Sequence, residues 1–273
     1  MPTISELLKQ QVIPLQDAKY ILMHVLNINQ LELLTSANKS LSESQLSIYN
    51  TLVAKRIGNT PLEYIINTSF FMGLTFFVNN HVLIPRNETE QLVEEVIAYI
   101  KHNNIEYMID MCTGSGCILI SLLHSTNITG LGVDISPNAI NIAKKNAKLN
   151  NVSCRAHFIN SDLFQNLDRS KKVNLIVSNP PYIPSYCIST LDDSVKNHEP
   201  HLALDGGIDG TLFYERLANE AFDFLKLGGA IFMEIGFNQG EAVSKIFLSY
   251  GYKNIIIKKD YSKNDRILIA FKS

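Results

Sequence analysis

Two patterns of apolar and polar positions divide the chain. Up to about residue 60, apolar side chains recur at steps of three and four with no strand-like alternation; beyond it, short apolar runs alternate with helical stretches. In the first region Ile21, Leu22, Val25 and Leu26 mark one helix face. Leu46, Tyr49, Val53 and Ile57 mark another over 41–59, with Ser42 and Gln45 at capping-box spacing. Residues 63–67 and 74–78 flank Gly73 and predict a β-hairpin whose core is Phe70, Phe71, Phe76 and Phe77. Strands follow at 107–111, 128–133, 154–160, 173–178, 230–235, 252–258 and 266–271, the last two close enough to pair as an antiparallel hairpin. Helices alternate with the first five, which predicts an α/β fold: a seven-stranded, mostly parallel sheet with one reversed C-terminal strand near its edge. Ligands should collect at the carboxyl ends of its strands. The expected division is a helical domain over 1–62, a connecting hairpin over 63–80 and a large domain over 81–273.

Chemistry concentrates at strand ends. The run Val173-Asn174-Leu175-Ile176-Val177-Ser178 stops in Asn179-Pro180-Pro181-Tyr182. Proline cannot donate to a ladder and pushes its predecessor toward extended geometry, so carbonyls there are left to receive a ligand's N–H. Asn179 adds a side-chain acceptor and Tyr182 a flat ring, a combination suited to a planar –NH2 group. Two acceptors holding its hydrogens would orient the nitrogen lone pair for attack without a conventional base. An isolated Asn-Pro would merely end a strand; the tetrapeptide is more specific.

A second loop, Cys112-Thr113-Gly114-Ser115-Gly116, follows the strand that ends in Ile109-Asp110-Met111 and precedes an apolar helix over 117–124. Only two glycines fit a dinucleotide fingerprint, so the loop alone does not name a cofactor. Asp134 strengthens it, ending the next strand 20 residues beyond Gly114, where an acid can accept both ribose hydroxyls. Ser136 can cap the following helix with Pro137 in its first turn, which leaves Asp134 for a ligand. Ser161-Asp162-Leu163-Phe164 ends a third strand, where a polar and an apolar residue can flank an adenine.

These features, in this order, resemble class I S-adenosylmethionine-dependent methyltransferases. Leu83-Ile84-Pro85-Arg86-Asn87-Glu88-Thr89-Glu90, the 110–116 and 178–183 segments, Glu199-Pro200-His201-Leu202-Ala203-Leu204, Gly206-Gly207 and Asp209-Gly210 narrow the resemblance to the PrmC/HemK family. It implies methylation of the side-chain amide nitrogen of the glutamine in the Gly-Gly-Gln motif of class I peptide-chain release factors, with S-adenosylmethionine as cofactor. On that resemblance Cys112, Thr113, Gly114, Ser115 and Gly116 lie along the methionine and ribose, Asp134 holds the ribose hydroxyls and Leu163 packs beside the adenine. Asn179, Pro180, Pro181 and Tyr182 cradle the glutamine amide, with Asn179 also beside the cofactor. The helical domain docks the protein substrate. Two positions depart from the family pattern. Cys112 stands where glycine is usual, implying ordinary backbone there or a shifted loop. Asn87 stands where proline is usual and can act as an N-cap with Glu90 three residues on.

Composition narrows the alternatives. Lys plus Arg number 24 and Asp plus Glu 26, a net charge of −2 with no global pull toward phosphate backbones. That disfavours the rival reading, a DNA or RNA amino-group (adenine N6-type) methyltransferase, which would present the same tetrapeptide to a base. A glutamine methyltransferase of a ribosomal protein is a second rival, disfavoured by the 85–90 segment. Cys112, Cys117, Cys154 and Cys187 lack metal-site spacing and read as reduced, mostly buried residues of a cytoplasmic protein with no metal. No signal-like start or apolar run near ~18 residues suggests a membrane, and a monomer is expected.

Overall fold

A computed structural model describes residues 1–10 and 12–273. They form two compact units, one of Met1–Thr68 with Asp192–His198, the other of Ser69–Leu191 with Glu199–Ser273.

The first unit contains α1 (Ile4–Lys9), α2 (Leu15–Leu26), α3 (Gln30–Thr35), α4 (Glu43–Ile57) and α5 (Leu62–Ile66). Three of these start at reciprocal capping boxes, Thr3 with Glu6, Asn29 with Glu32 and Ser42 with Gln45. Each satisfies two otherwise unpaired backbone donors. Ile21, Leu22, Leu33, Leu41 and Tyr49 form the core, with Leu46 and Val53 packed at its margin. Ile57 leaves the expected stripe: 57% exposed, it is the last helical residue, where the face turns away from the core.

The second unit begins with β1 (Ser69–Phe71) and β2 (Leu74–Phe76), an antiparallel pair turning through Met72 and Gly73. The hairpin's first strand is therefore not 63–67. Pro61 starts a helix there, and Asn67 ends it in the left-handed conformation. Phe71 and Phe76 are buried, but Phe70 points out at 60% exposure, as strand alternation requires. Phe77 lies beneath the Lys145 ammonium, 3.1 Å from its ring centroid.

Next come α6 (Asn87–His102), β3 (Tyr107–Met111), α7 (Cys117–Ser125), β4 (Thr129–Asp134), α8 (Pro137–Leu149), β5 (Ala156–Asn160) and β6 (Val173–Ser178). After the short α9 (Asp193–Lys196), which belongs to the first unit, follow α10 (Leu212–Phe224), β7 (Leu225–Glu234), α11 (Gly240–Ser249), β8 (Tyr252–Lys259) and β9 (Asp265–Lys272). The seven strands run in the order β5-β4-β3-β6-β7-β9-β8, parallel except for β9, which is antiparallel to both neighbours. This is the predicted sheet. Its direction of growth reverses between β3 and β6, whose registered neighbours include Met111 with Ser178. No described helix is long and apolar enough to cross a membrane.

The N-terminus of α6 differs from expectation. Arg86 is the N-cap and makes no side-chain cap; Asn87 is already helical, and Glu90 reaches away to accept from Met72 N–H at 2.6 Å. Ser136 does cap α8, receiving Ala139 N–H, with Pro137 behind it.

One buried side chain ties the hairpin to the loop after β3. Asn146 on α8 accepts from Phe77 N–H (2.7 Å) and donates to the carbonyls of Phe77 (3.0 Å) and Ser115 (2.8 Å). Replacing it with alanine strands three polar groups. Asn146→Ala should lower stability by about 2–4 kcal/mol in urea denaturation, since each buried group left unpaired costs roughly 1–3 kcal/mol and water can reach some of them.

Candidate active site

The carboxyl ends of β3, β4, β5 and β6 open into a cavity of about 370 Å³, within the range of small-molecule sites. Cys112, Thr113, Gly114 and Ser115 form one wall, Asp134 to Ser136 a second and Ser161 to Leu163 a third. Asn179 and Pro181 close it beside Thr89 and Arg86 from the start of α6. Leu202, Phe213 and Arg216 lie on the remaining side.

The β3 loop is shaped by backbone sterics. Cys112 has φ 61, so a cysteine occupies the left-handed conformation after all, contrary to the ordinary backbone expected of it. The neighbouring hydrogen bonds explain how it is held there. Thr113 N–H donates to the Val133 carbonyl at 2.9 Å, Ser178 Oγ donates to the Met111 carbonyl at 2.7 Å, and the strand must turn between those two anchors. Gly114 also has positive φ, with open space where a Cβ would stand, as a ligand-facing cradle requires. Gly116 does something else. It does not line the cavity; it is the N-cap of α7, and a Cβ there would meet Ile120 at 2.9 Å and Ala143 at 3.2 Å. Close packing of α7 against α8 explains that glycine.

Asp134 is less free than its sequence position implied. One carboxylate oxygen accepts from Gly114 N–H (2.8 Å), the other from Ser136 N–H (2.9 Å). Each oxygen keeps a lone pair, so the group is aimed by the loop it holds and can still accept two ligand hydroxyls. Burial raises its pKa, and these two N–H donors oppose that shift. Asp162, whose neighbour Leu163 is turned into the wall with φ 46, is paired by Arg216 from α10 at 2.9 Å.

Asn179 sits where β6 ends and lines the cavity; its Nδ2 donates to Thr89 Oγ1 at 3.2 Å. Pro180 and Tyr182 stand outside the wall. Tyr182 is turned inward, its hydroxyl donating to Glu234 at 3.1 Å and its carbonyl accepting from Gln239 Nε2 at 3.1 Å. The glycines of the 206–210 segment explain themselves here. A Cβ on Gly206 would lie 2.7 Å from Tyr182 Cα, and one on Gly210 would lie 2.4 Å from its carbonyl oxygen. The 206–210 segment therefore packs directly on the tetrapeptide, and the chain between the two carries helical turns at Ser185–Thr190 and His201–Ala203. Two distant motifs also meet, since buried Glu199 accepts from the Arg86 guanidinium and from Ile84 N–H.

Thr89, Glu234, Gln239 and Arg216 were not singled out by sequence. Glu234 had a usable signal, an acid closing a buried apolar strand as Asp134 does. Among the described residues no cluster of acids, histidines and cysteines could hold a metal, and the cysteines are free but not mostly buried as expected: Cys112, Cys117 and Cys187 are half-buried and Cys154 is exposed. Solvent exclusion alone does not place Cys154 inside, because it lies in the turn before β5.

The chain matches two family models, the PrmC N-terminal domain over residues 3–66 and the methyltransferase small domain over residues 89–208. A release factor glutamine methyltransferase of Clostridium acetobutylicum is 38% identical over 258 residues, covering 94% of this chain and 90% of that one. One from Thermodesulfovibrio yellowstonii is 36% identical, covering 99% and 97%. Among solved structures, a methyltransferase from Pyrococcus furiosus superposes with a TM-score of 0.54 at 18% identity, covering 81% of this chain and 97% of that one. The hMettl16 catalytic domain reaches 0.59 at 16% identity, covering 85% and 82%. At those identities the two structures speak for the shared fold.

Beneath the β3 loop, Asp110 is fully buried. Oδ2 accepts from Thr113 Oγ1 (2.6 Å) and Leu119 N–H (3.3 Å), while Oδ1 has no partner among the described residues. Burial pushes its pKa up to about 7. The folded state therefore binds this proton where the unfolded chain, with an ordinary carboxyl pKa near 3.8, has lost it. Its contribution to stability is full below about pH 4 and is lost as pH rises to about 7. Measured against Asp110→Asn by denaturation at each pH, the wild type should lose relative stability across that window and stay level above it.

Proposed function

The chain belongs to the family of release factor glutamine methyltransferases, and from that membership we propose that it methylates the side-chain amide nitrogen of the glutamine in the Gly-Gly-Gln motif of class I peptide-chain release factors. S-adenosylmethionine is the methyl donor. The observation that carries the reading is the placement of Asn179 in the same cavity wall system as the Cys112–Ser115 loop and Asp134, at the point where the sheet reverses.

When bound, S-adenosylmethionine supplies a methyl group on a positively charged sulfur. The residues present fit such a ligand: an open glycine cradle at Gly114, a buried carboxylate with lone pairs to spare at Asp134 and an apolar surface at Leu163. Asp134 would take the ribose hydroxyls, Leu163 would cover the adenine, and the 112–115 backbone would hold the methionine end.

The protein's catalytic contribution is orientation. Asn179, which lines the cavity, is assigned one amide hydrogen of the substrate glutamine and the carbonyl of Pro180, which the cavity wall does not include, the other, so that the nitrogen lone pair would be oriented for attack. S-adenosylmethionine held by Asp134, Leu163 and the 112–115 loop would supply the methyl group to that nitrogen, and the amide hydrogen it displaces would leave to solvent as a proton. Tyr182, anchored inward at both its hydroxyl and its carbonyl, supports this turn from behind. Pro181 supplies the adjoining apolar wall. Residues 1–62 are assigned to docking of the release factor and 81–273 to catalysis, in a cytoplasmic monomer.

Two measurements test this. With purified protein and labelled cofactor, label should enter a release factor but neither its Gly-Gly-Gln variant with Gln→Ala nor nucleic acid; label on nucleic acid alone would overturn the assignment. Asn179→Ala should keep cofactor affinity while turnover falls on the order of 10²-fold, as for other preorganised polar contacts. Asp134→Ala should do the reverse, losing cofactor affinity in calorimetry, and unchanged affinity would remove it from the ribose site.

A further inference from the structure

An asparagine side chain can face a ligand with either its oxygen or its nitrogen, and the proposed reaction requires the oxygen. Nothing in Asn179 itself decides this. The deciding groups lie deeper, at the carboxyl end of β7.

Glu234 is 2% exposed. Its Oε2 accepts from Thr89 Oγ1 at 2.5 Å and its Oε1 from the Tyr182 hydroxyl at 3.1 Å. An ionised carboxylate only accepts, and a hydroxyl has one proton. Thr89 must therefore spend its proton on Glu234, which leaves its oxygen as an acceptor toward Asn179. Only the NH2 end of Asn179 can satisfy that acceptor, and Nδ2 is the atom found there, at 3.2 Å. Among the described residues Asn179 Oδ1 has no internal partner, and Asn179 lines the cavity. We propose that Glu234, through Thr89, is a positioning residue that fixes which end of the Asn179 amide meets the substrate, and through Tyr182 locks the turn that carries it.

The inference rests on the methyltransferase reading above. The direction of each hydrogen bond follows from the one before it, so the charge on Glu234 sets the polarity of the whole relay. A neutral Glu234 has a proton of its own and can donate to Thr89. Thr89 is then free to donate to Asn179, and the amide can invert. Around the carboxylate stand the Tyr182 and Tyr214 phenols, the Cys117 thiol, Glu88 and the Arg266 guanidinium, the last shared with Asp260 at 3.1 Å. Burial raises the Glu234 pKa above the usual carboxylate range, while Thr89, Arg266 and Tyr182 favour the charged form. Activity that needs the ionised form is lost as pH falls through that raised value.

The experiment compares wild type, Glu234→Gln, Thr89→Val and Thr89→Ser with a release factor substrate. Glutamine keeps the shape but can donate to Thr89. Glu234→Gln and Thr89→Val are each expected to lose kcat by about 10²-fold with KM and cofactor affinity within about threefold. Their double variant should be no worse than either alone, and Thr89→Ser should recover most of the loss. The acid limb of the wild-type kcat profile should be absent in Glu234→Gln. Independently of turnover, the side-chain NH2 resonances of Asn179 in the ligand-free protein should shift in Glu234→Gln and, in wild type, titrate with the same midpoint as that limb. Melting temperatures identify a variant that fails to fold, in which case the wild-type NMR titration decides alone. A Glu234→Gln enzyme with full kcat at every pH, or an Asn179 amide indifferent to Glu234, would overturn the proposal. If wild type itself transfers no methyl to the release factor, it is the functional reading that falls.

Discussion

The arrangement depends on a reversal in the sheet. Strands β3 and β6 are hydrogen-bonded neighbours, yet the chain leaves β3 toward β4 and β5 on one side and leaves β6 toward β7 on the other. No connecting helix can cover both carboxyl ends at once, so a crevice opens between them. Its two lips are the Cys112–Ser115 loop and the Asn179–Tyr182 turn, pinned to each other below by Ser178 Oγ on the Met111 carbonyl. The two loops assigned to cofactor and substrate are thereby brought together by backbone topology, before any side chain acts.

Around this crevice, much of the polar machinery is second-rank support. Asn146 holds the β3 loop from α8, Gly114 and Ser136 aim Asp134, and Glu199 joins the Arg86 segment to the loop that packs on Tyr182. Each is a buried or half-buried bond whose loss leaves a partner stranded, which makes the site rigid. Rigidity matters for the mechanism proposed above, in which catalysis is orientation, since misplacement of a reacting group by an ångström is costly.

Strand-end chemistry was legible in the sequence because buried parallel strands are continuous apolar runs, and any polar residue closing one is conspicuous. That is why Asp134 and Asn179 stood out, and why a mostly parallel sheet with one reversed C-terminal strand could be anticipated. Contacts between segments far apart in the chain were not legible. Thr89 meets Glu234 across 145 positions and Arg86 meets Glu199 across 113, and no local pattern encodes such pairs. The segment 63–67 shows a different limit. Its β-branched and aromatic residues read as strand, but Pro61 supplied a helix start and Asn67 a left-handed stop, and the short-range capping signals prevailed over intrinsic preference. Cys112 shows a third, in which flanking hydrogen bonds override a residue's reluctance to adopt positive φ.

The helical unit is not contiguous in the chain. Seven residues, Asp192–His198, belong to it although they are encoded more than a hundred positions after α5, and His198 Nε2 lies 3.2 Å from the Gly58 carbonyl. The two units are thus not separable cassettes. Cutting at Thr68 would leave the downstream fragment carrying a surface segment stripped of the scaffold it packs on, and exchange of the first 68 residues between relatives would have to be matched by exchange of this inserted stretch. Recombination within such a gene is constrained at three junctions rather than one.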